Sequence, residues 1–438
     1  MAMSNDQTNF KTMYQFTGNL KNIALAFMLI GAIGVAVGFY SNSTKKVETH
    51  AGPNTELHSA KVSESATTNT LELNHKDHAM QQSQNRPWAA FYVPLFFFFM
   101  IALGVFVFYA TQVASSAGWS VVLFRVMEGL SASIVPIGIL LFIFLVLSAL
   151  GMNHLFPWMH AKGDEIVEAK SFWLNIPGWL IRTFIYIVGF IVFRHFIIKK
   201  SVAQDTATNV EAHEKGFKLT ILFIAFFMLS ESAFSWDWIM SLDPHWFSTL
   251  FAWYIFASGI VSAVTVIALV AIYLKSKGYL EFVNKSHIHD VAKFMFGFSI
   301  FWTYLWFAQY MLIWYAHMPE ETVYFVPRTT GVYKFIYFFM LILNFLFPLI
   351  VLMDRDWKRK NIFVIVVGLV VLAGHYLDFY LMVMPSAVGS QFGFGISEIS
   401  SLLFFIGLFI YFGFTSLSKR PLLTSGNPYK DESLHHHF

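Results

Sequence analysis

Residues 89–111 read AAFYVPLFFFFMIALGVFVFYAT, a run without one charged side chain. An α-helix rises ~1.5 Å per residue, so about 20 mainly apolar residues cross the hydrocarbon core of a bilayer. The run is continuously apolar rather than alternating, which excludes a strand of a membrane barrel. Nine further stretches share this character: 21–40, 120–150, 172–197, 217–240, 247–274, 292–316, 331–353, 361–384 and 397–416. The sequence therefore predicts an all-α polytopic membrane protein with ten transmembrane helices. The stretch 120–150 is too long for a perpendicular helix and calls for tilt or an interfacial extension.

Composition agrees. Hydrophobic residues make up 56% of the 438 and charged residues 13%, against roughly 25% charged in a soluble domain. Mean hydropathy is +0.57. There is no cysteine, so disulfides, thiolate chemistry and a conventionally ligated iron–sulfur cluster are outside this chain's means. The net charge of +3 carries no nucleic-acid signal, and none is expected as a partner. The first apolar stretch is longer than the core of a secretory signal and is read as a retained helix.

Lys and Arg between the spans set the expected orientation. They number 14 on the side of the termini and 8 on the other, or 3 once the long first loop is set aside. Residues 1–20 and 417–438 are thus placed in the cytoplasm. The periplasmic loop 41–87 is rich in Ser, Thr, Asn, Gln, Lys and Glu and is expected to be flexible, or ordered only by a partner. His75 and His78 read as part of that solvated tract in preference to a metal site. The run His435–His437 resembles a tag and is given no structural weight.

Two segments echo each other. Ser235-Trp236-Asp237-Trp238 leads to Pro244, and Tyr376-Leu377-Asp378-Phe379 leads to Pro385, each with an aromatic after the Asp and a proline seven positions on. His154 with Pro157 and His317 with Pro319 form a second echo. An even number of spans separates the members of each pair, as parallel repeats require. The expected layout is two repeated four-helix bundles, 88–241 and 242–385, flanked by the first and last helices.

The stretch Trp236-Asp237-Trp238-Ile239-Met240-Ser241-Leu242-Asp243-Pro244-His245-Trp246-Phe247-Ser248-Thr249 resembles the second large membrane subunit of bacterial alternative complex III. So does the tail Lys419-Arg420-Pro421-Leu422-Leu423 with Glu432-Ser433-Leu434-His435-His436. That subunit is similar to the polysulfide-reductase (NrfD-like) membrane anchor, a family associated with quinones. The resemblance spans the chain. It implies a complex that oxidises quinol and passes electrons through iron–sulfur clusters and c-type haems towards a terminal oxidase. The implied partners are a sister membrane subunit, an iron–sulfur subunit, c-type cytochrome subunits and a terminal oxidase, with membrane lipids around them. The family pattern gives quinol oxidation to the sister subunit, and proton conduction or scaffolding to this one.

Ionisable residues inside the spans carry the functional reading, because burying a charge in a bilayer costs at least ~2.5 kcal/mol on insertion scales. Depth along the predicted helices puts Glu231 ~21 Å and Asp237 ~30 Å from the cytoplasmic start of the fifth span, with His375 ~21 Å and Asp378 ~25 Å into the ninth. All four fall in the outer half. They form a candidate proton-exchanging cluster, with His375 and Asp378 also the candidate quinone ligands. The plainer reading is interhelical glue, Asp378 fixing His375 and Asp237 bonding a Trp or the backbone. Arg125 and Glu128, three apart, read equally as a proton inlet on the inner side or an intrahelical ion pair. Arg182 needs a partner, and Glu231 or Glu128 is expected to supply it. These residues would make two half-routes, an inner one at Glu128 and an outer one at the other three carboxylates and His375.

Asp243 reads as the N-cap of the sixth span, with Pro244 at its first position. His245 and Lys334 belong to the outer boundary, and Glu398 suits the N-terminus of the last helix. A bis-His haem needs two ligands at equal depth, and only His375 is deep, so no redox centre, metal or catalytic residue is assigned. Three alternatives stay open. This chain itself binds quinol; it is a secondary transporter, although Pro136, Pro94 and Pro348 make no matched pair of broken helices; or it is pure scaffold.

Overall fold

The computed structural model describes residues 11, 13–44, 65–161 and 163–437, with side chains up to 42 in the first long stretch and from 82 in the second. His75 and His78 fall outside the described side chains. Among the described residues ten helices are long and apolar enough to cross a membrane, and the chain is an all-α polytopic membrane protein.

In chain order, α1 spans Asn19–Thr44 and α2 Ser65–Ala114. The third span is α3, Phe124–Leu130, and α4, Ile134–Ala149, joined by one 3-10 turn and preceded by another at Gly118–Leu123. The third span is thus not one continuous α-helix but is interrupted by tightened turns. The short α5, Glu165–Ala169, precedes α6, Ile176–Gln204, and α7, Glu211–Trp238. Next come α8, Leu250–Ser276, and α9, Lys285–Ala316. Two four-residue helices, α10 (Pro319–Thr322) and α11 (Val326–Thr329), lead to α12, Lys334–Leu341. A π-helical turn over Ile342–Leu346 joins α12 to α13, Phe347–Met353. The chain closes with α14 (Arg355–Lys358), α15 (Asn361–Val388), α16 (Ile396–Leu417) and α17 (Lys430–Leu434).

Helix α2 begins at Ser65, so the tract expected to be flexible to residue 87 is helical in its latter part. Asn85 is buried there, its amide spanning to the His154 and Ala387 carbonyls.

Which helices lie at the centre follows from their apolar coverage. A helix hydrophobic all round belongs inside. The most apolar windows of α2 and α8 are 94% and 89% buried, against 17% for α1, so α2 and α8 form the axis and α1 lies outside against α16. Helices α2, α4, α6 and α7 close one ring, each touching the next; α8, α9, α13 and α15 close another; and α2 meets α8 and α15 between them. The N-terminal segment and the C-terminal tail meet at one end of the bundle, the terminal face, with Met13 bridging to Pro421.

The axis depends on small residues that let backbones approach in lipid. A Cβ on Gly104 of α2 would lie 2.8 Å from the Ala263 Cβ and 3.1 Å from the Gly259 carbonyl oxygen on α8. Gly104→Val should therefore lower stability by ~1–3 kcal/mol through overpacking. Thermal unfolding in detergent, read against the neutral control Gly297→Ala in open space, checks this.

Candidate functional site

Helix α15 carries the central group. Asp378 and His375 are both fully buried, and His375 sits ~20 Å from either helix end, at mid-helix and not in one half. Asp378 accepts from Ser258 Oγ at 2.8 Å and Trp302 Nε1 at 2.9 Å on one carboxylate oxygen, and from the Tyr254 hydroxyl on the other. Tyr254 and Ser258 are four apart on α8 and so share a face. Trp302, on α9, also sets its ring edge-on to His375, centroids 5.3 Å apart.

Ser258 does more than hold the carboxylate. Its Oγ is also 2.8 Å from His375 Nδ1, whereas the imidazole and carboxylate themselves are 3.9 Å apart. A hydroxyl has one proton to donate and lone pairs to accept with. Donating to Asp378 leaves Ser258 to accept from the Nδ1–H, which makes a chain from imidazole through hydroxyl to carboxylate. The direct contact expected from the three-residue spacing is replaced by this bridge.

Beside Asp378 lies a cavity of ≈ 10 Å³ bounded by Tyr254, Trp306, Tyr324, Arg328 and Tyr337. That is about the smallest space that holds one water. Arg328, two per cent exposed, closes the cavity on the side away from the terminal face. It donates to the Leu381 and Met382 carbonyls one turn beyond Asp378 and lies over the Tyr324 ring at 3.4 Å. Its NH2 reaches Ser386 Oγ at 2.9 Å and Asp243 at 3.4 Å, and Ser386 donates to Asp243 at 2.5 Å. Asp243 is partly exposed, so this group reaches the surface. The capping role read for Asp243 is overturned, since α8 starts only at Leu250 with Thr249 before it and no side-chain cap. The carboxylate answers the buried guanidinium instead.

Asp237 belongs to a separate group. Arg182 donates to its two oxygens at 2.9 and 2.7 Å, and Tyr186 donates at 3.2 Å. Arg182 also donates to the Trp173 carbonyl and stacks 4.2 Å from that ring's centroid. The expected partners of Arg182 are therefore corrected: neither Glu231 nor Glu128 but Asp237, which α7 presents near its end to the first turns of α6. Glu231, also buried, accepts from Ser235 Oγ at 3.0 Å.

On the terminal face Arg125 pairs with both Glu128 and Asp205. Ser201 donates to Glu128, and Arg194 donates to the Glu128 carbonyl and to Ser131 Oγ, both at 3.0 Å. The tail covers this group, the Ser425 N–H donating to Asp205. No hydrogen bond among the described residues joins the groups at Glu128, at Asp237, at Glu231 and at Asp378. The expected outer cluster is thus three separate sites, and only His375 and Asp378 are brought together.

The sequence reading missed Tyr254, Ser258, Trp302 and Arg328. Ser258 and Tyr254 carry no charge to mark them, and Arg328 follows Pro327 in what reads as a loop. It also missed a group on the terminal face, where Asp290 meets Lys293 at 2.8 Å and His436 of the tail at 2.7 Å. Glu398 does cap its helix, accepting from the Gly395 N–H, and pairs with Arg86 at 2.9 Å.

At the opposite face His245 Nε2 and Asp164 lie 2.6 Å apart, tying the α7–α8 connection to α5. The His245 hydrogen bond, followed by the Val167 and Ile166 N–H groups, holds the Asp164 carboxyl below its ordinary value. A depressed carboxyl contributes above its unfolded pKa, about 4, and loses that contribution as pH falls through the folded value. Protease sensitivity of the 150–175 segment should therefore rise below about pH 4, and Asp164→Asn should show the open behaviour at neutral pH.

No protein-family model matches the sequence, and no curated protein matches it.

Proposed function

We propose that this chain is a non-redox membrane subunit of a quinol-oxidising respiratory assembly of the alternative complex III type, in which it supplies a proton conduit and scaffold. The membership rests on the Trp236–Thr249 and Lys419–Leu423 resemblances. The conduit rests on one observation above all: an imidazole, a hydroxyl and a carboxylate hydrogen-bonded in series at mid-bundle. Intramembrane ionisable groups tend to mark ion and proton pathways, and an imidazole can accept a proton on one ring nitrogen and give one from the other. The cavity and the Arg328–Asp243–Ser386 group supply the path from Asp378 to one surface. On the proposed orientation that surface is periplasmic and the termini are cytoplasmic.

Two observations favour this reading over its rivals. The space beside Asp378 takes about one water, whereas small-molecule sites are typically ~300–1,000 Å³, so a quinol ring has no room against His375 or Asp378. The helix breaks at 131–133 and 342–346 fall in the third and eighth spans, which are not corresponding helices of the two rings. A repeat-built transporter site would pair such breaks. The two rings would still descend from a repeated four-helix unit, as the Asp237 and Asp378 echo suggests.

Affinity purification of the chain from native membranes in mild detergent tests the membership. Iron–sulfur and c-type cytochrome subunits should accompany it in stoichiometric amounts; recovery of the chain alone or with unrelated partners overturns the assignment. Proton movement in vesicles containing that assembly tests the conduit, with Asp378→Asn as the deciding substitution.

A further inference from the structure

We infer that an internal water site between α9, the π-turn and α15 is the proton donor to His375 from the terminal side, held by Asn344. This rests on the conduit reading and supplies the half of the path that the cavity beside Asp378 leaves open.

The observations converge from three elements. His375 uses Nδ1 on Ser258, and its Nε2, on the other edge of the ring, has no protein partner. Asn344 is fully buried, and neither its Oδ1 nor its Nδ2 has one. Ser299, one helical turn before Trp302 on α9 and two per cent exposed, has an unpartnered Oγ. Buried polar atoms are costly unless hydrogen-bonded, and a buried water typically makes about three such bonds.

The backbone is arranged around the amide. Asn344 is the middle residue of the π-turn Ile342–Leu346, which packs against both α9 and α15. Such turns are rare and recur at functional sites. On α15 the facing residue is Gly374, beside His375. A Cβ there would come within 2.0 Å of Asn344 Oδ1, so only glycine admits the amide at this level. The amide therefore lies against the backbone next to the imidazole, on the side of α15 that the π-turn covers. Asp290 and its Lys293 and His436 partners stand nearer the terminal face on the same α9. The site thus sits between that acidic group and the Asp378 relay. A water bonded to Nε2 can pass a proton to the ring as Nδ1–H gives one to Ser258 and Ser258 gives its own to Asp378. This leaves the imidazole as its Nε2–H tautomer, which resets before the next proton.

Substitution of Asn344 separates water from packing. Asn344→Leu fills the space and removes both polar atoms, whereas Asn344→Ala leaves room for additional water. In vesicles carrying the purified native assembly, proton flux should fall about tenfold or more with leucine and by clearly less with alanine, where added water can stand in for the lost amide. Asp378→Asn in parallel reports on the conduit itself. Loss with Asp378→Asn but wild-type flux with Asn344→Leu overturns the water site alone, and wild-type flux in both overturns the conduit as well. Alanine as damaging as leucine, in step with a lowered melting temperature, would show the amide to be packing only and would also overturn the site. A high-resolution map of the assembly gives a readout apart from flux. Ordered density within hydrogen-bond reach of Asn344 and His375 Nε2 is expected; direct contact between the two side chains refutes it.

Discussion

On the proposed conduit, Asp378→Asn should stop proton movement through the chain while leaving the proposed assembly whole. An amide of the same shape can place its oxygen where Ser258 Oγ and Trp302 Nε1 both donate and turn its NH2 towards Tyr254, whose hydroxyl also accepts. The expected stability cost is only ~1 kcal/mol, the net worth of one hydrogen bond. What the amide cannot do is take up and release a proton. A positioned acid or base contributes typically ~10²–10⁴-fold to proton transfer, so a loss of ~10²-fold or more is the prediction. Quinol-driven acidification by the reconstituted assembly, read with a trapped pH dye, measures it, and subunit content by mass spectrometry controls for assembly. Unchanged acidification with intact subunits would remove Asp378 from any conduit. Ser258→Ala should reproduce much of the defect, because Ser258 is the bridge across the 3.9 Å that separates imidazole and carboxylate.

The second large effect concerns stability. Removing one member of a buried, hydrogen-bonded ion pair strands the other and typically costs ~3–5 kcal/mol. Asp237 has no exposure and Arg182 little, and the pair is two-pronged, the geometry that makes arginine–carboxylate contacts strong. Arg182→Ala should therefore lower the melting temperature sharply or prevent recovery of monodisperse protein. The double variant Arg182→Met with Asp237→Leu should restore most of that loss, since apolar replacement of both partners is often neutral. It should also leave proton flux intact, because the pair is saturated by Arg182, Tyr186 and the Trp173 carbonyl and no hydrogen bond links it to Asp378. Loss of flux in a stable double variant would return Asp237 to the conduit, where its sequence position first put it.

The membrane class, the ten spans and the ionisable residues lying within those spans are written in the order of the amino acids. Hydrophobicity acts residue by residue, and a charge inside an apolar run is conspicuous wherever the helix ends up. Helix ends are less legible for the same reason: α2 starts at Ser65 and α15 runs through Pro385 to Val388 because neighbouring helices cover residues that look polar or breaking on their own. Partnership is another kind of property. Whether Asp237 meets Arg182, or Asp378 meets Ser258, Tyr254 and Trp302, depends on how each helix is rotated about its axis. In lipid that rotation is decided by close packing of small residues, such as Gly104 on Gly259 and Gly374 under Asn344, and not by a general drive to hide apolar surface. The residues that would make a proton path out of isolated acids, Ser258, Arg328 and Asn344, are for that reason visible only once the helices are assembled.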